Sequence, residues 1–341
     1  MKKFYKDLIF TVIFGLVLLI SALTISFTIS QFMPGDPALA YLPEGTIDWD
    51  EYEAIREALG LNAPIIIQFC IYAVRILAGD WGRSFSISRG TPAQLVMMQP
   101  LARSLDLLIL PLVISIILGF LVGKYSIKRS PNKRSRIIRL LFLIGFAFPI
   151  FLVGMLLQFV FGYVFPIFPP EGYKTLVYGD PSVISGFRFI DALFSGELYL
   201  ISDYLNHLIL PWITMTISLI VFWTLLVRSY YINRVNRPHY IKNSFYTSFI
   251  FHIAVAFGTV FAFLMVTETL FDFGGIHNLL IIAFMVSDYW VILGILFSYL
   301  ISFVLVITLS LLSLIVYKKI KNKDRSTPSV KKPIDEEVKP A

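Results

Sequence analysis

The chain has 341 residues, of which 57% are hydrophobic and only 15% charged, a balance that argues against a soluble globular domain. The net charge of +7 is no nucleic-acid signature, because the basic residues line the edges of apolar runs, where anchoring against anionic lipid accounts for them. One cysteine, Cys70, excludes an intrachain disulfide and a multi-cysteine metal cluster.

Six runs are long and apolar enough to cross a bilayer: Leu8–Ser30, Ser104–Tyr125, Ile137–Pro166, Leu205–Val227, Phe245–Met265 and Trp290–Tyr317. A crossing helix needs about 20 apolar residues, since ~30 Å of hydrocarbon is spanned at ~1.5 Å per residue. The runs are continuous rather than alternating, so they read as helices and not as barrel strands. With Met1 placed inside, the inner segments hold 22 of the 29 Lys+Arg and 5 of the 22 Asp+Glu; the outer ones hold 7 basic and 17 acidic residues. Positive charge resists translocation, so this alternation sets both termini in the cytoplasm. The first run is too long for a signal-peptide core and lacks a small-residue cleavage site, so it reads as an uncleaved helix.

Residues 1–30 therefore form an N-terminal transmembrane helix and 31–103 an extracytoplasmic segment. Within that segment Asp48–Leu59 reads as an acidic helix, and Pro64–Leu77 as a second helix, too short to cross and broken by Arg75, that packs on the outer surface. Gly79-Asp-Trp-Gly-Arg-Ser has the composition of a turn. Residues 104–317 form a five-helix transmembrane core. Its inner loop Lys124–Arg139 carries seven basic residues and no acid. Pro149 lies inside the third run, where a missing hydrogen bond predicts a kink. Glu268–Leu280, with Gly274 and Gly275, suits a short re-entrant or surface helix, the alternative being a plain connecting loop. Residues 318–341 read as a disordered cytoplasmic tail.

Catalytic chemistry finds little support. His207, His239, His252 and His277 are scattered over both sides of the membrane, and no metal-binding, nucleophile-elbow or phosphate-loop motif is present. Asp106 and Glu268 sit close enough to the interface to be read as hydrated. Most of Trp81, Trp212, Trp223 and Trp290 read as interfacial or lipid-facing. Transport remains as the function to test.

Several patterns follow in order: Met33-Pro-Gly-Asp-Pro-Ala after the first run; Leu59-Gly-Leu-Asn-Ala-Pro; Gly79-Asp-Trp-Gly-Arg-Ser-Phe; Pro100-Leu-Ala-Arg-Ser-Leu-Asp-Leu; Gly145-Phe-Ala-Phe-Pro; Thr267-Glu-Thr-Leu-Phe-Asp-Phe-Gly-Gly-Ile-His-Asn; and Ser287-Asp-Tyr-Trp. In this order and on these membrane sides, the chain resembles the B-type permease subunit of dipeptide, oligopeptide and nickel ABC importers. That resemblance implies an all-α polytopic membrane protein with six transmembrane helices in the type I ABC importer fold. It implies a second permease subunit, two cytoplasmic ATPases that bind ATP and Mg, and an extracytoplasmic solute-binding protein as partners. No cofactor is expected on this chain.

Family permeases carry a Glu-Ala-Ala helix and a glycine in the cytoplasmic loop between the fourth and fifth spans, where the ATPase docks. Here that loop, residues 228–244, contains no acid, glycine or alanine. The expected coupling element is therefore a reduced one built on Arg228, Tyr230, Tyr231, Arg234, Arg237, His239 and Lys242. The expected outer mouth uses Asp80, Trp81, Arg83, Glu268, Asp272 and His277. The competing reading, suggested by the short loop, is a permease-derived scaffold without its own ATPase coupling.

Overall fold

A computed structural model describes residues 2–32, 36–42, 48–125, 148–236 and 244–326, with side-chain detail outside residues 2–3, 40, 229–255, 318 and 320–326. The regular elements among the described residues are all helices, with one isolated bridge between Arg83 and Pro92 and no strand.

The first helix, α1 (Lys2–Gln31), runs for 30 residues. Its Ile9, Phe10, Ile13, Leu16 and Ile20 are more than half exposed, a continuous apolar face that water would not tolerate and lipid would. A 3₁₀ turn follows at Pro37–Tyr41, begun by Asp36, whose carboxylate accepts from the Ala38 N–H. Pro34 and Gly35 lie outside the described residues. Next come α2 (Trp49–Ala58), capped by the Asp48 carboxylate, and α3 (Ile65–Leu77), which starts after Pro64. The Tyr72 hydroxyl of α3 donates to Ser26 Oγ of α1 at 2.8 Å and pins the two helices together.

Helix α4 (Ala93–Tyr125) contains Pro100 and Pro111 without interruption. Helix α5 (Ile150–Leu157) passes directly into a π-helical stretch, Gln158–Val164. Pro149 does not kink a continuous helix: it is extended (φ −61°, ψ 142°) and immediately precedes α5, because proline suits a helix start better than its interior. The remaining helices are α6 (Arg188–Phe194), α7 (Leu198–Asn236), α8 (Ser244–Phe271), α9 (Ile276–Met285) and α10 (Tyr289–Ser326).

Among the described residues, α1, α4, α7 and α10 are each long and apolar enough to cross a membrane, and α8 with α9 adds a further apolar stretch bent by 68°. The expected third run, 137–166, falls partly outside the described residues; its described part is α5 and the π-helical stretch. The helix ends alternate. Contacts bring the starts of α4, α7 and α10 to the same end as the close of α1 and α8, as successive crossings require.

Two apolar cores hold this arrangement. One gathers Leu23 and Phe27 of α1, Tyr72 and Ile76 of α3, Met97 of α4 and Ile292 of α10. The other joins Leu107 of α4, Met215, Leu219 and Trp223 of α7, and Val260 and Leu264 of α8. The α4–α7 seam is close because Gly119 and Gly123 face it. A Cβ on Gly119 would stand 2.4 Å from Trp223 Cβ, and one on Gly123 2.8 Å from Val227 Cβ. This Gly-x-x-x-Gly spacing lets helix backbones approach within a bilayer, where packing rather than water exclusion drives association. Trp223 and Trp290 are thus buried core residues, whereas most of the four tryptophans near the apolar runs were expected at the interface or facing lipid.

Candidate functional site

The polar chemistry collects at the end where α4 begins and α8 finishes, and the α8–α9 bend is its centre. The backbone turns through left-handed residues at Asp272 (φ 44°) and Gly274 (φ 66°). Such a turn strands backbone groups, and its neighbours satisfy them. Arg103 of α4 donates to the Gly274 carbonyl at 2.8 Å, and the Ile276 N–H donates to Ser104 Oγ at 2.8 Å. Gln158 of the π-helical stretch donates to the Leu270 carbonyl at 3.0 Å and to that of Pro170 at 2.8 Å.

Inside the bend lies Glu268, fully buried rather than hydrated as its sequence position suggested. Its Oε2 accepts from the His277 backbone N–H at 2.9 Å and lies 2.9 Å from His277 Nδ1, within hydrogen-bond distance. A Cβ at Gly275 would come within 2.4 Å of the Glu268 carboxyl carbon; glycine is required for this approach. The His277 ring stacks on Tyr299 of α10 with centroids 5.1 Å apart and meets Phe261 edge-on at 5.9 Å. Asp272 accepts from Asn278 at 2.8 Å and staples the turn from outside. Asp106, more than three turns into α4, accepts from the Tyr204 hydroxyl at 2.9 Å.

The second polar site is the 79–92 turn. Asp80 pairs with Arg75 at 2.8 Å. Burial pushes the Asp80 carboxyl up, but the Arg75 hydrogen bond, the Gly82 N–H and the charges of Arg75 and Arg83 outweigh it and hold it below its usual range. Trp81 Nε1 donates to the Ile76 carbonyl at 3.2 Å, and Arg83 donates to the Gly90 carbonyl at 2.6 Å. The residue that organises this turn is Asp288, which sequence reasoning passed over. It is fully buried, and its Oδ2 accepts from Ser84 Oγ (2.6 Å) and from the N–H groups of Phe85 (3.2 Å), Ser86 (3.0 Å) and Ile87 (3.0 Å). Three consecutive backbone N–H groups converging on one carboxylate form an anion nest, here filled by a residue about 200 positions away. The signal was present as Ser287-Asp288 just before an apolar run, a helix-start pattern.

The six expected outer-mouth residues thus form two groups. Glu268, Asp272 and His277 share the bend; Asp80, Trp81 and Arg83 share the turn; α9 and the start of α10 run between them. At the other end, Arg228, Tyr230, Tyr231 and Arg234 lie on the last turns of α7, which continues as helix to Asn236. Arg237, His239 and Lys242 lie outside the described residues. His252 falls on α8 where side chains are not described. No group of three or more His, Cys, Asp or Glu could hold a metal ion among the described residues.

Comparison with known proteins matches two stretches of the chain to one transport family. Residues 115–242 match the binding-protein-dependent transport system inner membrane component, and residues 2–91 match the N-terminal component of the same system. The "Probable peptide ABC transporter permease protein y4tP" of Sinorhizobium fredii is 26% identical over 78% of this chain and 83% of its own length. The di/tripeptide transport system permease protein DppB of Pseudomonas aeruginosa is 27% identical over 82% and 85%. The dipeptide transport system permease protein DppB of Alkalihalophilus pseudofirmus is 26% identical over 80% and 86%.

Proposed function

The chain belongs to the membrane components of binding-protein-dependent transport systems, and from that premise we propose that it is the permease subunit of an ABC importer, forming half of the pathway for peptides or a related small solute. The observation that carries this reading is the paired family match over residues 2–91 and 115–242, set on helices whose exposed faces are apolar. Its cell-membrane location and multi-pass character follow from the same family and helices.

The finer reading has six crossings, both termini in the cytoplasm, residues 31–103 outside, the core at 104–317 and the cytoplasmic tail at 318–341. A second permease, two ATPases and an extracytoplasmic solute-binding protein complete the machine. ATP and Mg bind to the ATPases and not to this chain. Closure of the ATPases is transmitted through the reduced element at 228–244, with Arg228 and Arg234 on an extension of α7, a rigid lever in place of a separate acidic helix. The bend at 268–278 and the turn at 79–92 form the outer mouth. The α4–α7 pair, held face to face at Gly119 and Gly123, moves as one body against the partner permease.

Purification of the tagged chain from its native membrane in mild detergent, with mass spectrometry of what remains bound, tests this assembly. Recovery of a second permease with ATPase subunits is expected. A permease pair without ATPase, under conditions that hold a control importer together, would favour the scaffold reading.

A further inference from the structure

Segments read as extracytoplasmic hold only seven Lys and Arg against 17 Asp and Glu, yet three of the seven surround one aromatic ring. The guanidinium carbon of Arg103 lies 4.1 Å from the centroid of Tyr173, Lys174 Nζ lies 5.4 Å away, and Arg188 is 5.6 Å away. A ring face attracts cations, but three in one place repel each other unless an anion joins them. Among the described residues, the only carboxylate that bonds these cations is Asp180. It accepts from Lys174 at 2.6 Å, from Arg188, and from the Tyr173 hydroxyl at 3.3 Å. Asp191, also close, is taken up by the N–H groups of Ser185 and Gly186 and by the Ser185 hydroxyl.

The cage is therefore left with excess positive charge, and its Arg103, Asp180 and Arg188 line, with Gln99 and Asp191, a small solvent-open recess of about 20 Å³. Arg188 is 4% exposed and its buried Nε has no protein acceptor, although a buried guanidinium donor is costly to leave unpaired. Asp180 is different in kind: its side chain is 41% exposed and sits on a loop. It is the one exposed member of the cage. Arg103 also holds the Gly274 carbonyl, so the cage is joined directly to the α8–α9 bend.

We propose that this cage binds a carboxylate of the transported solute, with Asp180 as an internal carboxylate that fills the place and yields it. The solute's carboxylate would take the bonds of Asp180 to Lys174 and Arg188, under Arg103. The inference rests on the transport reading above and names the chemical group that the pathway recognises at its entrance.

The test uses the whole assembly in proteoliposomes, with saturating binding protein, and compares uptake of dialanine with that of its C-terminal amide. Lys174→Gln and Arg103→Gln each remove a charged donor and should lower dialanine uptake about tenfold, with a smaller loss for the amide. Asp180→Asn removes the competitor and should raise dialanine uptake, the opposite sign from a structural contact. A fall in Asp180→Asn alongside the other two, or no change in any variant, overturns the proposal. An equal loss of acid and amide also overturns it and assigns the cage to an acidic group of the binding protein. Wild-type assemblies that take up neither compound under ATP would overturn the transport reading itself, a result separate from an unmoved ratio between variants.

Discussion

Replacing Asp288 by alanine should release the 79–92 turn from α10. The wild-type carboxylate oxygen accepts four hydrogen bonds, three of them from successive backbone N–H groups. A hydrogen bond to a charged acceptor contributes roughly 1.5–3 kcal/mol, and such bonds on one atom are not additive. Ser86 is exposed and regains water when the carboxylate goes, whereas Ser84 is buried and does not. A net loss of about 3 kcal/mol for the local structure follows. Native-state amide exchange reads this directly: the amides of Phe85, Ser86 and Ile87 should lose on the order of a hundredfold protection in Asp288→Ala. Asp288→Asn keeps one acceptor oxygen without the charge and should lose about tenfold. The cap of α10 at Ile292 is a backbone bond to the Asp288 carbonyl and should survive both changes. Unchanged protection at 85–87 in Asp288→Ala would refute the view that this carboxylate organises the turn.

Gly119→Ala places a methyl 2.4 Å from Trp223 Cβ and should destabilise the α4–α7 seam by roughly 1–3 kcal/mol, seen as a lower melting temperature in detergent. Gly258→Ala, with nothing within 4 Å of the new methyl, should instead be neutral or gain up to about 1 kcal/mol from helix propensity; equal losses at both positions would contradict the packing account. Cys70 is exposed on α3 and should react with a membrane-impermeant maleimide added outside intact cells, whereas labelling only after permeabilisation would reverse the orientation. Burial raises the Asp180 carboxyl, but the Lys174 hydrogen bond and the charges of Arg188, Lys174 and Arg103 more than offset it, and the net shift is downward. A carboxylate with a depressed folded-state pKa contributes stability above its unfolded value, and that contribution is lost as pH falls through the folded one. A fluorophore on Ser182→Cys, in a Cys70→Ser background, should therefore report an unchanged loop from pH 7 down to about pH 4 and loosening only below it. Loosening near pH 6 would contradict this assignment.

Hydropathy and charge made the long helices legible, because bilayer thickness and the resistance of positive charge to translocation act on runs of residues and leave runs as their mark. The Asp48 cap of α2 and the Pro64 start of α3 were legible for a local reason: both are decided within one turn. Glu268 was misjudged because depth along a helix says nothing about which way a side chain turns. Its burial depends on His277 nine residues later and on the missing side chain of Gly275. Asp288 and the place of Arg103 in the Tyr173 cage were hidden for the same physical reason, since each meets its partner far along the chain and only after the helices pack. Pro149 carried a real backbone signal, but a proline alone does not distinguish a bent helix from a helix start.

The most direct test of the central claim is solute uptake by this chain reconstituted with its co-purifying permease, ATPases and binding protein. ATP enclosed with the ATPases should drive dialanine uptake, and the combined Arg228→Ala, Arg234→Ala and Arg237→Ala variant should lose that uptake while still inserting and assembling. Undiminished ATP-driven uptake in the triple variant would remove the 228–244 element from the coupling path. Absence of uptake in the fully assembled wild type, with a control importer active in the same vesicles, would contradict the permease account.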